Sequence, residues 1–166
     1  MEELLPLLHP GSIRSLELAL APFRGTFDHT LDAKNRLTVP ARYRATLADG
    51  VVLAMPLSQK PCVLLWRPQE YEDYTRRMTA ELPPLSGKLA EVERFFYGNS
   101  HDTELDAAGR VMIPAFLVEH ASLDKEVLVI GAGNRMELWD KRGWSEHEPE
   151  MLTNVAELTA SVDAAA

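Results

Sequence analysis

The chain repeats one segment of its sequence at a constant offset of 74 positions. Residues 31–41 have the sequence LDAKNRLTVPA, and residues 105–115 have the sequence LDAAGRVMIPA. Leu, Asp, Ala, Arg, Pro and Ala recur at matching places, and two further places keep an apolar residue. A repeat seen only twice indicates two copies of one small unit packed as a pseudo-symmetric pair, because a solenoid requires more repeats.

Each copy predicts a strand, a tight turn, a returning strand and a short helix. In the first copy, the alternation of residues 24–39 around the polar segment DAKN is typical of two strands joined by a turn. Asn35 and Gly109 occupy the same place in the two turns, and both residue types tolerate a positive φ. The Pro that follows each second strand is favoured in a first helical turn, which predicts helices at Ala41–Leu47 and Ala115–His120.

The remainder of the chain predicts further strands and helices. The predicted strands are Val51–Met55, Cys62–Trp66, Glu126–Ile130 and Met136–Trp139. The predicted helices are Pro68–Glu81, a helix capped by Ser86 that runs through Tyr97, and a helix from Trp144 with a frayed tail at 160–166. The predicted fold is therefore mainly β with added helices (α+β), as a pseudo-two-fold, double-hairpin β-barrel with a helical hairpin between the repeats and a C-terminal helix. Its units are a poorly ordered N-terminal extension (1–22), a first repeat with its helical connection (23–97), a second repeat (98–145), and a C-terminal helix and tail (146–166).

Charge is divided unevenly between the two copies. The formal net charge is −8, but residues 1–100 contain 12 basic and 12 acidic residues, whereas residues 101–166 contain 5 and 13. Residues 24–44 have a local net charge of +3, and the matching stretch 98–118 has −2. If either copy binds a polyanion, the first copy has the suitable charge.

The first copy carries basic side chains that the shared fold does not require, because the second copy lacks them. Lys34 replaces Ala108 at the turn tip, and two Arg residues replace Phe116 and Val118 on the helix. One interpretation is an ordinary solvated surface, and the other is a face that contacts DNA phosphates and base edges. The predicted DNA contacts are Lys34, Arg36, Arg42 and Arg44, with Arg24 as an auxiliary phosphate contact.

An Asp-x-x-x-Arg spacing spans the turn in both copies. A carboxylate and a guanidinium at these places can face each other across a tight turn. Asp32–Arg36 and Asp106–Arg110 are therefore predicted to pair and to lock the two turns. For Arg110 the structural pair is the favoured interpretation, whereas for Arg36 both the pair and a DNA contact stay open.

The sequence gives little support to other chemistry. The single Cys62 excludes an intramolecular disulfide and, within an apolar run, is expected to be buried and inert. No histidine has metal-ligand spacing, and neither a phosphate-binding loop nor a nucleophile elbow is present. Asp32 and Asp106 are not expected to share a proton as a catalytic dyad, because the Arg four residues on would keep each ionised. We expect a cytoplasmic protein that is not an enzyme, needs no cofactor or metal, and does not cross a membrane.

The two motifs resemble those of the MraZ family. FRG (23–25) followed by LDAKNRLTVPARYR is similar to the family's first motif, and LDAAGRVMIP is similar to its second. The late segments EVLVIG and MELWD also match, so the resemblance covers roughly residues 23–145. The family is similar to AbrB/SpoVT-type regulators, which build a DNA-binding β-barrel from two swapped hairpins, and here both halves would lie in one chain. The chain departs from the family in its extension before residue 23 and in Asn35, where the family mostly has Gly.

The resemblance implies a bacterial transcription regulator of the division and cell-wall gene cluster, expected to act as a repressor. It implies binding to double-stranded DNA at direct repeats in the promoter of that cluster, in association with the nucleoid. It also implies a homo-oligomeric ring of about eight or more subunits, which would present many basic first repeats to the DNA. The alternative function is a ring-forming protein-interaction scaffold, in which the basic face docks an acidic partner without specific DNA readout.

Overall fold

The computed structural model describes residues 21–164 of the chain. These residues form a mixed α+β fold, as predicted. Their strands are β1 (Thr26–Thr30), β2 (Arg36–Thr38), β3 (Val51–Ala54), β4 (Cys62–Trp66), β5 (Ser100–Thr103), β6 (Arg110–Met112), β7 (Glu126–Gly131) and β8 (Arg135–Asp140). Their helices are a 3₁₀ helix (Ala41–Tyr43), α1 (Pro68–Thr79), α2 (Gly87–Gly98), α3 (Ala115–His120) and α4 (Lys141–Asp163). The predicted N-terminal extension lies outside the described residues except for its last two positions, as do positions 165–166 of the predicted tail.

Six strands form one antiparallel sheet in the order β1-β7-β8-β4-β3-β5. This order shows an exchange of strands between the two copies. β1 of the first copy pairs with β7 of the second, and β5 of the second copy pairs with β3 of the first. β4 and β8 meet at the centre of the sheet. Neither copy completes its sheet alone, so the two copies fold as one unit.

The two remaining strands, β2 and β6, form a separate antiparallel ribbon across the pseudo-two-fold axis. Leu37 lies opposite Val111 at the centre of the ribbon, and both side chains are fully buried. Matched backbone hydrogen bonds close its two ends. They are donated by Val39 N–H to Gly109 O at 2.9 Å and by Ile113 N–H to Asn35 O at 2.8 Å.

The predicted turns between β1 and β2 and between β5 and β6 form, but the strands beside the first turn do not continue as a ladder. β1 and β2 share the single bridge Leu31–Leu37 and then part. The reason is that β1 is paired with β7 while β2 is paired with β6. The strands therefore form a sheet and a ribbon, and their closure into one barrel stays a prediction.

Alternation along the strands divides the apolar side chains between two layers. The inner layer lies between the sheet and the ribbon and includes Leu37, Val111 and Leu65. The outer layer lies on the other face of the sheet and includes Trp66 and Trp139, against which α1 and the first turns of α4 pack. The ribbon and α4 consequently lie on opposite sides of the six-stranded sheet.

The other predicted boundaries agree with the structure to within two residues, except in two regions. The α-helix predicted at Ala41–Leu47 is wrong. A 3₁₀ helix followed by turns replaces it, because the N–H groups of Tyr43 and Arg44 donate to carbonyls three residues earlier, at 2.9 and 3.4 Å. The last helix begins before Trp144, where Asp140 caps it by accepting from Gly143 N–H at 3.1 Å. It continues through Asp163 instead of fraying from residue 160.

Candidate nucleic-acid interface

The turn that precedes β2 is organised by the carboxylate of Asp32. Its Oδ1 accepts from the backbone N–H groups of Lys34 and Arg36, both at 2.9 Å, and its Oδ2 accepts from Arg36 Nε at 2.6 Å. Asn35 adopts a left-handed conformation with a φ of 57°. The backbone N–H of Arg36, and next its guanidinium, lower the pKa of Asp32, because both stabilise the ionised carboxylate.

The turn that precedes β6 repeats this arrangement in the second copy. Asp106 Oδ1 accepts from the N–H groups of Ala108 at 3.0 Å and Arg110 at 2.9 Å, and Oδ2 accepts from Arg110 Nε at 2.8 Å. Gly109 supplies the left-handed residue, with a φ of 73°. The N–H of Arg110 is the largest cause of the lowered pKa of Asp106. Each turn therefore holds its Asp–Arg pair through the Nε atom of the Arg.

Arg36 and Arg110 lie on the same outward face of the β2–β6 ribbon. The register opposes Arg36 to Met112 and Thr38 to Arg110, so the two Arg residues are diagonal neighbours, roughly 7–8 Å apart in such a ladder. Within residues 21–164, no group accepts a hydrogen bond from the Nη atoms of either Arg. These N–H groups can donate to phosphate oxygens or to a guanine edge, and the DNA major groove admits a two-stranded ribbon.

Arg110 forms the predicted pair with Asp106 and also has neighbours from the first copy. Its acidic surroundings in sequence favoured a purely structural pair with Asp106. That pair forms, and the antiparallel pairing of β2 with β6 also places Arg110 beside Arg36, so the outward face is built from both copies. The apolar pair Leu37 and Val111, recurring at matching places, was the available signal for this pairing.

Lys34 lies exposed at the tip of the first turn. Its backbone N–H is bonded to Asp32, and its ammonium group forms no ion pair within the described part of the chain. At the matching tip of the second turn, Ala108 presents no charge. The first tip is therefore the more strongly basic end of the ribbon.

Arg44 crosses from the first copy onto the turn of the second. Its Nε donates to Val39 O at 3.1 Å, and its side chain lies against Gly109. Burial first, and the nearby Arg44 charge second, lower the pKa of His29 on β1. Arg44 is half-buried, so it has a structural role at the junction of the two copies whether or not it also meets DNA.

Arg24 and Arg42 are connected through the buried Tyr43. The Tyr43 hydroxyl donates to Arg24 O at 2.7 Å and accepts from Arg24 N–H at 2.8 Å. The Arg42 guanidinium lies 5.2 Å from the centre of the Tyr43 ring. Both Arg side chains are exposed. The predicted DNA contacts thus form two groups and one separate residue. Lys34 and Arg36 lie on the first turn and the ribbon, Arg24 and Arg42 lie around Tyr43, and Arg44 lies at the junction of the two copies.

The acidic residues of α4 lie on the side of the sheet opposite the ribbon. Between Lys141 and Asp163, α4 carries five acidic and two basic residues. Its first turns pack on the outer layer, whereas the ribbon covers the inner layer. The net charge of −8 therefore does not describe the surface that the ribbon presents.

The described residues offer few other groups with chemistry of their own. Cys62 is buried, as predicted, and burial raises the pKa of its thiol to about 12. Within residues 21–164, no three side chains of His, Cys, Asp or Glu come together in a way that could hold a metal ion. None of the helices described has the length and apolar character needed to cross a bilayer.

Comparison with known proteins agrees with the two-copy architecture. The family model described as "MraZ protein, putative antitoxin-like" matches residues 22–86 and 96–162, one match for each copy. The chain belongs to the MraZ family. The resemblance of the two motifs to this family is thereby confirmed, and residues 1–21 lie outside the matched ranges.

Three MraZ relatives show how much of the chain is shared. The protein of Hydrogenovibrio crunogenus is 36% identical over 138 residues, covering 81% of this chain and 90% of the relative. That of Thiobacillus denitrificans is 38% identical over 136 residues (79% and 89%), and that of Micrococcus luteus is 37% identical over 141 residues (84% and 96%). Each is named "Transcriptional regulator MraZ". MraZ regulators are not enzymes, which confirms the prediction that this chain has no catalytic activity.

Proposed function

We propose that this chain is a DNA-binding transcription regulator that contacts its operator with the β2–β6 ribbon and the turns beside it. The observation that carries the proposal is the diagonal pair Arg36 and Arg110 on one outward face, with Nη atoms that no described residue binds. The names of its MraZ relatives support the same function.

The two groups of basic residues would contribute differently to binding. Arg36 and Arg110 are fixed at Nε by Asp32 and Asp106, so their guanidinium groups are oriented before DNA arrives. An Arg side chain that is already oriented can donate hydrogen bonds to the edge of a base, where the geometry of these bonds determines sequence specificity. Lys34, which is exposed at a turn tip, suits phosphates, as do the exposed residues of the Tyr43 group, Arg24 and Arg42.

The finer proposal concerns the target and the assembly. The regulator acts at the nucleoid, in the cytoplasm, as a repressor of the division and cell-wall gene cluster, and it binds direct repeats in that promoter. A ring of about eight or more subunits presents one ribbon to each repeat and raises affinity by multivalency. Exposed apolar side chains on α4 support subunit contacts, since Val155, Leu158 and Val162 recur at helical spacing on one side.

The same exposed stripe on α4 favours the alternative of a protein-interaction scaffold. In that case the ring is the functional product, and the ribbon docks an acidic protein. Salt dependence does not separate the two functions, because both depend on electrostatic attraction. Preference for one DNA sequence over another does separate them.

The decisive experiment is fluorescence anisotropy at physiological salt with the DNA upstream of this chain's own gene, against a scrambled duplex of equal length. A regulator should bind the native duplex about 10³-fold more tightly, as specific DNA-binding proteins do. Equal and weak binding to both duplexes would leave non-specific electrostatic adhesion and favour the scaffold.

A further inference from the structure

Strands β7 and β3 occupy equivalent places in the two halves of the fold. Val127 on β7 lies opposite His29 on β1, and Val51 on β3 lies opposite Thr103 on β5. Positions 29 and 103 are 74 residues apart, which is also the offset between the two motifs. Both valines belong to the inner layer. The residues two positions before these valines therefore stand at equivalent places, one beside each end of the β2–β6 ribbon.

These two equivalent places carry opposite charges. Lys125 precedes β7, and Asp49 precedes β3. Both side chains are exposed, and neither forms an ion pair within residues 21–164. The tips of the two turns differ in the same sense, because Lys34 corresponds to Ala108. Since either charge is compatible with the same arrangement of strands, the fold requires neither of them.

Lys125 lies directly beside the first turn. Leu31 N–H donates to Lys125 O at 2.9 Å, which extends the pairing of β1 with β7 by one residue. Residues directly opposite each other in an antiparallel pair lie on the same face of the sheet, and Leu31 belongs to the inner layer. Lys125 and Asn35 of the first turn also line one shallow depression. Lys125, a residue of the second copy, therefore lies on the ribbon side of the sheet at the end that the first copy forms.

Two carboxylates near Lys125 are engaged by another cation. Asp28 on β1 forms an ion pair with Lys141, with 2.8 Å between Asp28 Oδ1 and Lys141 Nζ. The hydrogen bond and charge of Asp28 first, and the charge of Glu126 after them, raise the pKa of Lys141. Glu126 therefore also lies near this ammonium group, at the start of α4 and on the side of the sheet opposite the ribbon. Both carboxylates thus favour Lys141 and leave Lys125 to act on the ribbon side.

The second end of the ribbon lacks this compensation. Asp49, Asp102 and Glu104 line one depression beside the second turn. None of these three carboxylates forms an ion pair in the part of the chain that the structure describes. Pro68, the first residue of α1, occupies the place that corresponds to Lys141, because each is the second residue after a Leu-Trp step. A phosphate would therefore be attracted by Lys125 at the first end and repelled at the second.

We propose that Lys125 is a further phosphate contact of the DNA interface, and that Asp49 keeps the equivalent place at the second end away from DNA. This inference rests on the proposed function. The second copy then supplies two cations to the interface, Arg110 on the ribbon and Lys125 beside the first turn. Phosphate contacts concentrate at one end of the ribbon, while its outward face still combines both copies.

The first test is crosslinking from engineered cysteines in the full chain. Cys62, the single cysteine, is buried, so a photoactivatable thiol reagent labels an engineered cysteine selectively. On the duplex from upstream of this chain's own gene, Lys125→Cys should crosslink to DNA, and the equivalent Asp49→Cys should crosslink far less. Equal crosslinking from the two positions, or none from position 125, would overturn the proposal.

The same duplex separates this inference from the proposed function. The unmodified chain is titrated first against the native and the scrambled duplex. Equal affinity for the two would overturn the proposed function and this inference with it. Preference for the native duplex, without a crosslink from position 125, would overturn this inference alone.

The second test measures the salt dependence of binding. Lys125→Ala should lower the affinity and reduce the slope of log K against log salt by about one unit for each bound subunit. Asp49→Ala should leave the slope unchanged and should not weaken binding, because it removes no phosphate contact. Lys88→Ala, on exposed α2, is the matched control for the loss of one lysine and should change neither quantity. Melting temperatures close to that of the unmodified chain show that the variants fold. An unchanged slope for Lys125→Ala, or an equal change for Lys88→Ala, would overturn the proposal.

Discussion

The side chain of Arg44, in the first copy, lies directly over Gly109, in the turn of the second. A Cβ built on Gly109 would be 2.5 Å from Arg44 Nε and 2.6 Å from its Cδ. Gly109 also has a φ of 73°, a conformation that side chains disfavour. Two separate constraints, backbone conformation and the approach of Arg44, therefore act on one residue. The matching turn residue, Asn35, also has a positive φ, of 57°, although it carries a side chain.

Substitution at Gly109 should reveal both constraints. Gly109→Ala should destabilise the fold by about 1–2 kcal/mol from backbone conformation alone, and by more in the presence of Arg44. In an Arg44→Ala background, only the conformational part should remain. Urea unfolding of the two single variants and the double variant measures the coupling. Additive losses in the free energy of unfolding would show that Arg44 and a side chain at position 109 do not interact. As a control, Asn35→Gly should change the free energy of unfolding by only about 0.5 kcal/mol.

Removal of exposed basic side chains should weaken DNA binding without changing the fold. Lys34→Ala and Arg42→Ala should each lower operator affinity and reduce the slope of log K against log salt by about one unit, because each removes one phosphate contact. Lys88→Ala, which removes the same charge from exposed α2, is the control and should leave the slope unchanged. Anisotropy titrations at several salt concentrations provide the measurement, and an equal effect of Lys88→Ala would indicate a non-specific charge effect.

Arg110 tests whether the interface combines both copies. The diagonal ribbon positions predict that Arg36→Ala and Arg110→Ala each reduce discrimination between operator and scrambled DNA, with melting temperatures that stay close to each other. Loss of discrimination with Arg36→Ala alone would limit base contacts to the first copy.

The Asp32 carboxylate should matter for stability and for DNA binding together. Asp32→Ala removes the acceptor for two backbone N–H groups and for Arg36 Nε, so the turn loosens and the guanidinium loses its orientation. We expect a lower melting temperature and weaker operator binding. Asp32→Asn keeps an oxygen acceptor and should lose less of both. Circular dichroism melting and anisotropy measure the two effects, and unchanged melting of the Ala variant would argue against the pair.

Acid should destabilise the protein through the same turns. The folded-state pKa values of Asp32 and Asp106 lie below the ordinary aspartate value of 3.8. Each carboxylate therefore contributes stability that is complete above that value and is lost as the pH falls through the lower folded-state pKa. Melting temperatures measured from about pH 2 to 6 should decline less steeply for the Asp32→Asn, Asp106→Asn double variant than for the unmodified chain. Parallel declines would assign acid sensitivity to other groups.

Local features of this chain follow from residues close together in sequence. The left-handed positions at Asn35 and Gly109 follow from the residue types that tolerate positive φ. The spacing of Asp32 and Arg36 places a carboxylate and a guanidinium on one turn, where the structure joins them. The amino-acid sequence also determined most helix and strand boundaries, the burial of Cys62, and membership of the MraZ family, because each depends on local pattern or on matching motifs.

Only the tertiary structure decided how the two copies combine. The pairing of β1 with β7 and of β2 with β6 depends on burying side chains such as Leu37 and Val111, which lie 74 residues apart in the chain. Burial of apolar side chains is non-directional, so the sequence near each strand does not show which strand it pairs with or in which register. It nevertheless places Arg110 beside Arg36 and Arg44 against the second turn. Charges assigned to one copy by sequence thus belong, in the folded protein, to a surface formed by both.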